Sequence, residues 1–157
     1  MTPELDAFFE IGVVAPLGPH TFDAEGIKAF ARKYDPQPFH TDEEAAKRSI
    51  FGGLCASGWQ TAATWMARNL ATPGRGAWTG AGPTPEFGPS PGISNLKWLK
   101  PVYAGETVSF SRTAVSHRAI TSRPGWRVLT VRAEGVDSTG AKVIEFDSAV
   151  LVKVGGE

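Results

Sequence analysis

Cysteine is almost missing from this 157-residue chain, Cys55 being the only one. An internal disulfide framework is therefore excluded, and a reducing compartment is expected. An excess of either charge is missing too. Lys plus Arg and Asp plus Glu each number 16, so the formal net charge is zero. No basic run is present to track phosphates, and nucleic acid is not an expected partner. Long apolar runs are absent: nowhere do about 18 apolar residues follow one another, so no membrane span is expected. Met1 to Glu10 carries acidic residues and lacks a basic region followed by a long apolar one. A secretory leader is not expected there, and the cytoplasm is the expected location. No spacing of His, Cys, Asp and Glu matches a structural zinc site. Neither GxxxxGK[ST] nor a GxGxxG after a strand occurs, so no metal and no nucleotide cofactor are expected.

What is present fits one globular domain over residues 1–157, with 41% hydrophobic residues and 10% aromatics to build a single core. Zero net charge also weakens colloidal repulsion, which is compatible with self-association. Phe9 to Phe22 is broken by Gly12, Pro16, Gly18 and Pro19 and reads as an irregular first strand. Asp23 is placed to cap a helix over Ala24 to Lys33, where Ile27, Phe30 and Ala31 share a face. Two prolines in Tyr34-Asp35-Pro36-Gln37-Pro38-Phe39-His40 break that helix. Thr41 and Glu44 have capping-box spacing, which predicts a short helix through Glu43 to Lys47. Leu54 to Leu70, opened by Gly52-Gly53, reads as the longest helix, and its apolar residues spread around it as in a buried helix. Cys55 then counts as a small buried hydrophobe rather than a nucleophile. Pro73 to Gly92 is rich in Gly and Pro without periodicity and reads as a long loop. Alternation around Leu96 and Trp98, Val108 and Phe110, Leu129 to Ala133, and Ile144 to Val154 marks strands. Helices first and antiparallel strands after indicate α+β, with four or five strands around one buried helix.

Three features carry chemistry. His40 follows Asp35 by five residues, with a Pro-x-Pro bridge that stiffens the segment. A carboxylate beside an imidazole orients it, selects its tautomer and moves a proton. The plainer reading makes Asp35 a turn residue and His40 a helix cap. Gly52-Gly53 at a helix start offers unobstructed backbone N–H groups to an oxygen gaining negative charge, or else simply makes a tight turn. Gly53, Ser57, Gln60 and Thr64 fall on one helical face and form a polar stripe. That stripe either faces a wet catalytic cleft or bonds back to helix carbonyls. His20 and His117 read as surface or strand residues.

Three segments together resemble one family. Phe30-Ala31-Arg32-Lys33-Tyr34-Asp35-Pro36-Gln37-Pro38-Phe39-His40 resembles the hydratase signature of MaoC-like proteins, in which an Asp and a His form the catalytic dyad. Phe51-Gly52-Gly53-Leu54-Cys55-Ala56-Ser57-Gly58-Trp59 is similar to the start of that family's central helix. Leu96 to Thr107 looks like its hairpin-and-strand segment, and the order along the chain is the same. The resemblance implies a hot-dog fold, an antiparallel sheet wrapped around a long central helix, paired as a homodimer or higher homo-oligomer. It implies a hydratase or dehydratase of an acyl-CoA thioester, adding water to a trans-2-enoyl-CoA to give the (R)-3-hydroxyacyl product. CoA enters as part of the substrate. Asp35 and His40 act on the water and Gly52 or Gly53 on the carbonyl oxygen; a supporting role for Ser57 and Gln60 is an expectation from the polar stripe and not from the resemblance. Thioester hydrolysis on the same fold, and acyl-thioester binding without turnover, stay open beside it.

Overall fold

The computed structural model describes residues 2–74 and 76–155. The chain opens with a helix, α1 (Thr2–Phe9), which buries Leu5, Phe8 and Phe9. β1 (Val14–Thr21) follows, irregular as expected, with its register against β4 (Thr107–Ala119) shifting between Pro16 and Gly18. Gly18 sits there at φ +88°, a left-handed backbone that only glycine adopts without strain. α2 (Ala24–Tyr34) starts where its cap predicts: Asp23 Oδ1 accepts the Gly26 N–H at 2.6 Å. The proline segment breaks that helix but then forms a turn of its own, α3 (Pro38–Thr41), with Pro38 in the first turn. α4 (Glu43–Lys47) is capped one residue later than the capping-box spacing indicated. Asp42, not Thr41, accepts the Ala45 N–H, at 3.0 Å.

The long helix α5 (Gly58–Ala71) begins four residues beyond its expected start, with Ser57 as N-cap. The apolar residues Leu54 and Cys55 read as helical, but tertiary pairing wins. Cys55 bridges Tyr103, the Ala56 N–H donates to Val102 O at 2.8 Å, and the Ala104 N–H donates to Leu54 O at 3.0 Å. Residues 54–56 are thus extended, and Cys55 is buried but outside any helix. Nor is α5 buried on all sides. Gln60, Thr61 and Trp65 turn inward while Trp59 and Leu70 are exposed.

The expected loop from Pro73 to Gly92 contains a two-residue strand, β2 (Glu86–Phe87), and ends where β3 (Gly92–Trp98) starts. With β4, β5 (Trp126–Val136) and β6 (Lys142–Lys153) the strands make one six-stranded antiparallel sheet, ordered β1-β4-β5-β6-β2, with β3 also on β6. The sheet exceeds the expected four or five strands because β2 was too short to show a period. Inward residues alternate along the long strands, such as Leu129, Val131 and Ala133 on β5. Trp65 drives α5 onto this face. It packs edge-on against Phe146 at 5.0 Å, and its indole N–H donates to Ser111 O at 2.9 Å. Burying such a side chain stabilises the fold by about 3–5 kcal/mol relative to alanine. The far end of α5 is held by Arg112, whose guanidinium donates to Asn69 O, Asn69 Oδ1, Thr72 O and Gly74 O at 2.9–3.2 Å. A curled sheet around one helix is the hot-dog arrangement.

Candidate active site

α2, α3 and the extended segment before α5 converge on a cavity of about 390 Å³. Asp35 caps the end of α2, donating its N–H to Ala31 O at 2.9 Å, and His40 lies in α3. The stiff bridge between them brings His40 Nε2 to 3.4 Å from Asp35 Oδ2, both lining the cavity. His40 is 6% exposed. Its other nitrogen, Nδ1, lies 2.6 Å from the Cys55 carbonyl oxygen. A carbonyl only accepts, so Nδ1 carries the proton, and in the neutral ring Nε2 presents its lone pair to the carboxylate. Two acceptors therefore face each other in the cavity.

The carboxylate is held from two sides. Ser57 Oγ donates to Oδ2 at 2.7 Å and Gln37 Nε2 donates to Oδ1 at 2.6 Å. Burial alone pushes the Asp35 carboxyl up. The hydrogen bonds from Ser57 and then Gln37, with His40 close by, outweigh burial and hold its pKa below the ordinary carboxylate value. The thiol of Cys55, 3.7 Å from Nδ1, is pushed up to about 11 by burial and stays protonated. That fits the small-hydrophobe reading rather than a nucleophile.

Gly58 opens α5 at the cavity wall. In the first turn, Trp59 N–H donates to Ser57 Oγ at 3.2 Å, and the Gln60 and Thr61 N–H groups donate to Ser57 O. The Gly58 N–H has no acceptor among the described residues. It is a free donor at the positive end of a helix dipole. A side chain here would force Trp98 to move, because a Cβ on Gly58 would enter its indole. Trp59 and Trp98, edge to face at 4.9 Å, stand half-exposed at the mouth. Lys100 joins them, bound to Asp137 at 2.6 Å.

Residues 16–133 match the family described as MaoC like domain. The chain belongs to that family. It is 33% identical to a MaoC-like dehydratase from Rhodospirillum rubrum, with a TM-score of 0.77 over 94% of each chain. It is 28% identical over 145 residues to the uncharacterized protein YdeM of Bacillus subtilis, covering 92% of this chain and 96% of YdeM. The fold is shared with the (R)-hydratase from A. caviae involved in PHA biosynthesis, at 22% identity and a TM-score of 0.65 over 94% and 98% of the two chains.

In this MaoC-like chain, Asp35 and His40 come together as the family resemblance implied. The paired glycines do not join them. Gly52 gives its N–H to Ser49 O at 3.1 Å in a turn, Gly53 packs on the Tyr103 ring, and neither lines the cavity. They lie ahead of the extended segment, so the helix start, and its free donor, belong to Gly58. The polar stripe splits as well. Ser57 reaches Asp35, whereas Gln60 borders a separate groove beside His20 and Arg68, its Oε1 buried without a partner among the described residues. Thr64 bonds back to Gln60 O at 2.7 Å. Thr61, one residue along, is the helix hydroxyl at the dyad cavity. His20 and His117 both lie on strands. His117 is not on the surface, its side chain being 3% exposed and 2.8 Å from Asp6 Oδ1. Gln37 and Gly58 escaped sequence reading. For Gly58 the signal was present: Ser-Gly directly before a helical run is an N-cap signature. For Gln37 none was, since its bond to Asp35 depends on backbone geometry.

Among the described residues no group of three His, Cys, Asp or Glu is placed to hold a metal ion. No helix among them is long and apolar enough to cross a membrane.

Proposed function

We propose that this protein adds water across the double bond of a trans-2-enoyl-CoA, and reverses that reaction, with Asp35 and His40 as its catalytic residues. The observation that carries the reading is the pair of opposed acceptors, His40 Nε2 and Asp35 Oδ2, 3.4 Å apart. One water seated beside the pair, within reach of both atoms, donates a hydrogen bond to each and turns a lone pair to the substrate. The hydroxyl adds to the β-carbon while one water proton passes to Nε2, and the imidazolium formed is paired with the Asp35 carboxylate. Electron density moves onto the thioester oxygen, where the free Gly58 N–H receives it. Return of that proton to the α-carbon completes addition, and delivery from the one dyad makes it syn. The (R) configuration of the product follows from the family resemblance.

A second copy of the chain is part of the proposal. β3 leaves Ile93 and Trp98, with Leu99 just beyond, about half exposed at an edge of the sheet next to the cavity mouth. Sedimentation equilibrium at micromolar concentration is expected to give twice the chain mass.

The deciding experiment incubates the protein with enoyl-CoAs of graded length and branching. It follows loss of the enoyl thioester, product stereochemistry and free thiol together. Hydration without thiol release is expected. Thiol release without hydration would replace the proposal with thioester hydrolysis, and tight binding with no turnover across the panel would replace it with a binding module.

A further inference from the structure

Ser57 stands at an unusual junction. Its hydroxyl donates to Asp35 Oδ2 at 2.7 Å, the same oxygen that faces His40, and accepts the Trp59 N–H at 3.2 Å. It is fully buried, so no solvent competes for either bond. Asp35 and Ser57 are 22 residues apart in sequence and belong to different elements. Cys55 also joins these segments: its carbonyl accepts from His40 Nδ1–H at 2.6 Å, its N–H donates to Phe39 O at 3.3 Å, and its thiol lies 3.7 Å from Nδ1 and 4.0 Å from Phe39 O. None of these touches the carboxylate or the helix start. Gln37 completes the arrangement by donating to Oδ1 at 2.6 Å, while Oδ2 lies between Ser57 and the imidazole.

We infer that Ser57 is a positioning residue that locks the water-holding pair to the first turn of α5, with Gln37 fixing the rotation of the Asp35 carboxylate. The inference rests on the hydration reading for its kinetic consequence but not for its structural one. Addition to an enoyl thioester needs the water and the carbonyl donor at a set separation. The Gly58 amide is the next one along the chain from the hydroxyl that grips Asp35. Cut that bond and Gln37 alone holds the carboxylate by Oδ1, so Oδ2 loses its tie to the helix start. A displacement of about 1 Å at a reacting group costs on the order of 100-fold in rate. Threonine carries the same hydroxyl and also caps helices, so it preserves the lock.

The test compares Ser57→Ala, Ser57→Thr and Gln37→Ala with a control, Asp23→Ala, which removes the cap of α2 away from the cavity. Ser57→Ala is expected to lower kcat about 10- to 100-fold with a smaller change in KM. Ser57→Thr is expected to stay near wild type. Asp23→Ala is expected to lose thermal stability without losing kcat, which separates cap loss from positioning. A second readout needs no turnover: the Asp35 carboxyl is titrated by carbon-13 NMR. The groups facing it are His40 from α3, Ser57 and Gln37, with Lys100 and Cys55 elsewhere on the same cavity wall. Loss of the Ser57 donor to the charged form moves the midpoint upward, and Gln37→Ala does the same. If the wild type hydrates no enoyl thioester, the hydration reading fails while the titration still judges Ser57. Wild-type kcat in Ser57→Ala, an unmoved carboxyl midpoint, or equal impairment in a folded Ser57→Thr each overturns the inference.

Discussion

Asp35→Asn is the sharpest perturbation of the dyad because it changes charge and almost nothing else. The asparagine has the same shape, and its Oδ1 still accepts from Gln37 at the position now held at 2.6 Å. Its Nδ2 replaces the oxygen beside Ser57 and His40. Ser57 Oγ has lone pairs to accept from it, so the buried hydroxyl is not orphaned. The same Nδ2 points at His40 Nε2 across 3.4 Å and donates into the lone pair that serves as base. Two things are lost at once: the negative charge that stabilises the imidazolium, and the acceptor that holds one hydrogen of the water. Turning the amide round restores an oxygen toward His40 but not the charge.

General acid–base assistance is worth about 100- to 10,000-fold, or about 2.7–5.4 kcal/mol of barrier. Asp35→Asn is therefore expected to lower kcat by that factor, with KM within a few-fold because no cavity volume changes. The assay is steady-state hydration of crotonyl-CoA, followed by loss of the enoyl thioester absorbance. Thermal unfolding of the same preparation guards against a folding defect, and the midpoint is expected to move by only a few degrees. A folded Asp35→Asn protein with kcat within threefold of wild type would refute the division of labour drawn between carboxylate and imidazole.

Arg112→Met removes the buried donor of Asn69 O, Asn69 Oδ1 and Thr72 O. It is expected to destabilise the fold by about 2–4 kcal/mol in urea titration, and Arg112→Lys recovers part of this because one ammonium cannot reproduce the fork. Asp137 is held far below the ordinary carboxylate range by Lys100 first, then Thr139, so its contribution is present above the unfolded pKa and lost as pH falls through the folded one. The stability gap between wild type and Asp137→Asn, read from unfolding midpoints, is expected to be widest near neutrality and to shrink steadily below about pH 4. Gly58→Ala drives a methyl into the Trp98 ring and is expected to cost both stability and kcat/KM. Adding Trp98→Ala is expected to return stability, a non-additive coupling that a double-mutant cycle detects.

How much of this was legible depended on how local each signal is. α2 was read within one residue of its end because its cap and apolar face lie within a dozen residues. The dyad was legible through the resemblance of the 30–40 segment to the MaoC-like signature. The spacing and two prolines alone left a turn residue and a helix cap equally open, because the bonds that aim the pair come from Cys55 and Ser57. The start of α5 was not legible. Leu54 and Cys55 look helical in isolation and become extended only through pairing with Val102 to Ala104, some fifty residues on. That misplacement carried the carbonyl donor to Gly52 and Gly53. It also put Gly53 on a helical face with Ser57, when Ser57 is the cap and Gly53 lies outside the helix. Arg112 carried no signal at all, because a buried guanidinium answered by carbonyls rather than a carboxylate leaves no charge pattern along the chain.

The same pairing explains why the site holds its shape at small cost. Asp35 and His40 sit on a stiff turn, but a stiff turn alone does not aim them. Their aim comes from Cys55 and Ser57, whose backbone is fixed in turn by the Cys55–Tyr103 bridge and the Ala56–Val102 bond. The Tyr103 hydroxyl donates back to Phe51 O at 2.8 Å and closes the loop on the other side. From Tyr103 the chain runs directly into β4, the strand that Arg112 uses to grip the far end of α5. Both ends of α5 are thus referenced to one strand, its start through residues 54–56 and 102–104, its end through a single guanidinium. A helix positioned in this way keeps its free amide and the Ser57 hydroxyl in register with the dyad through the stiffness of the sheet. The cavity then needs few bonds of its own, and those it has, on Asp35 and His40, remain free to be specialised for moving a proton.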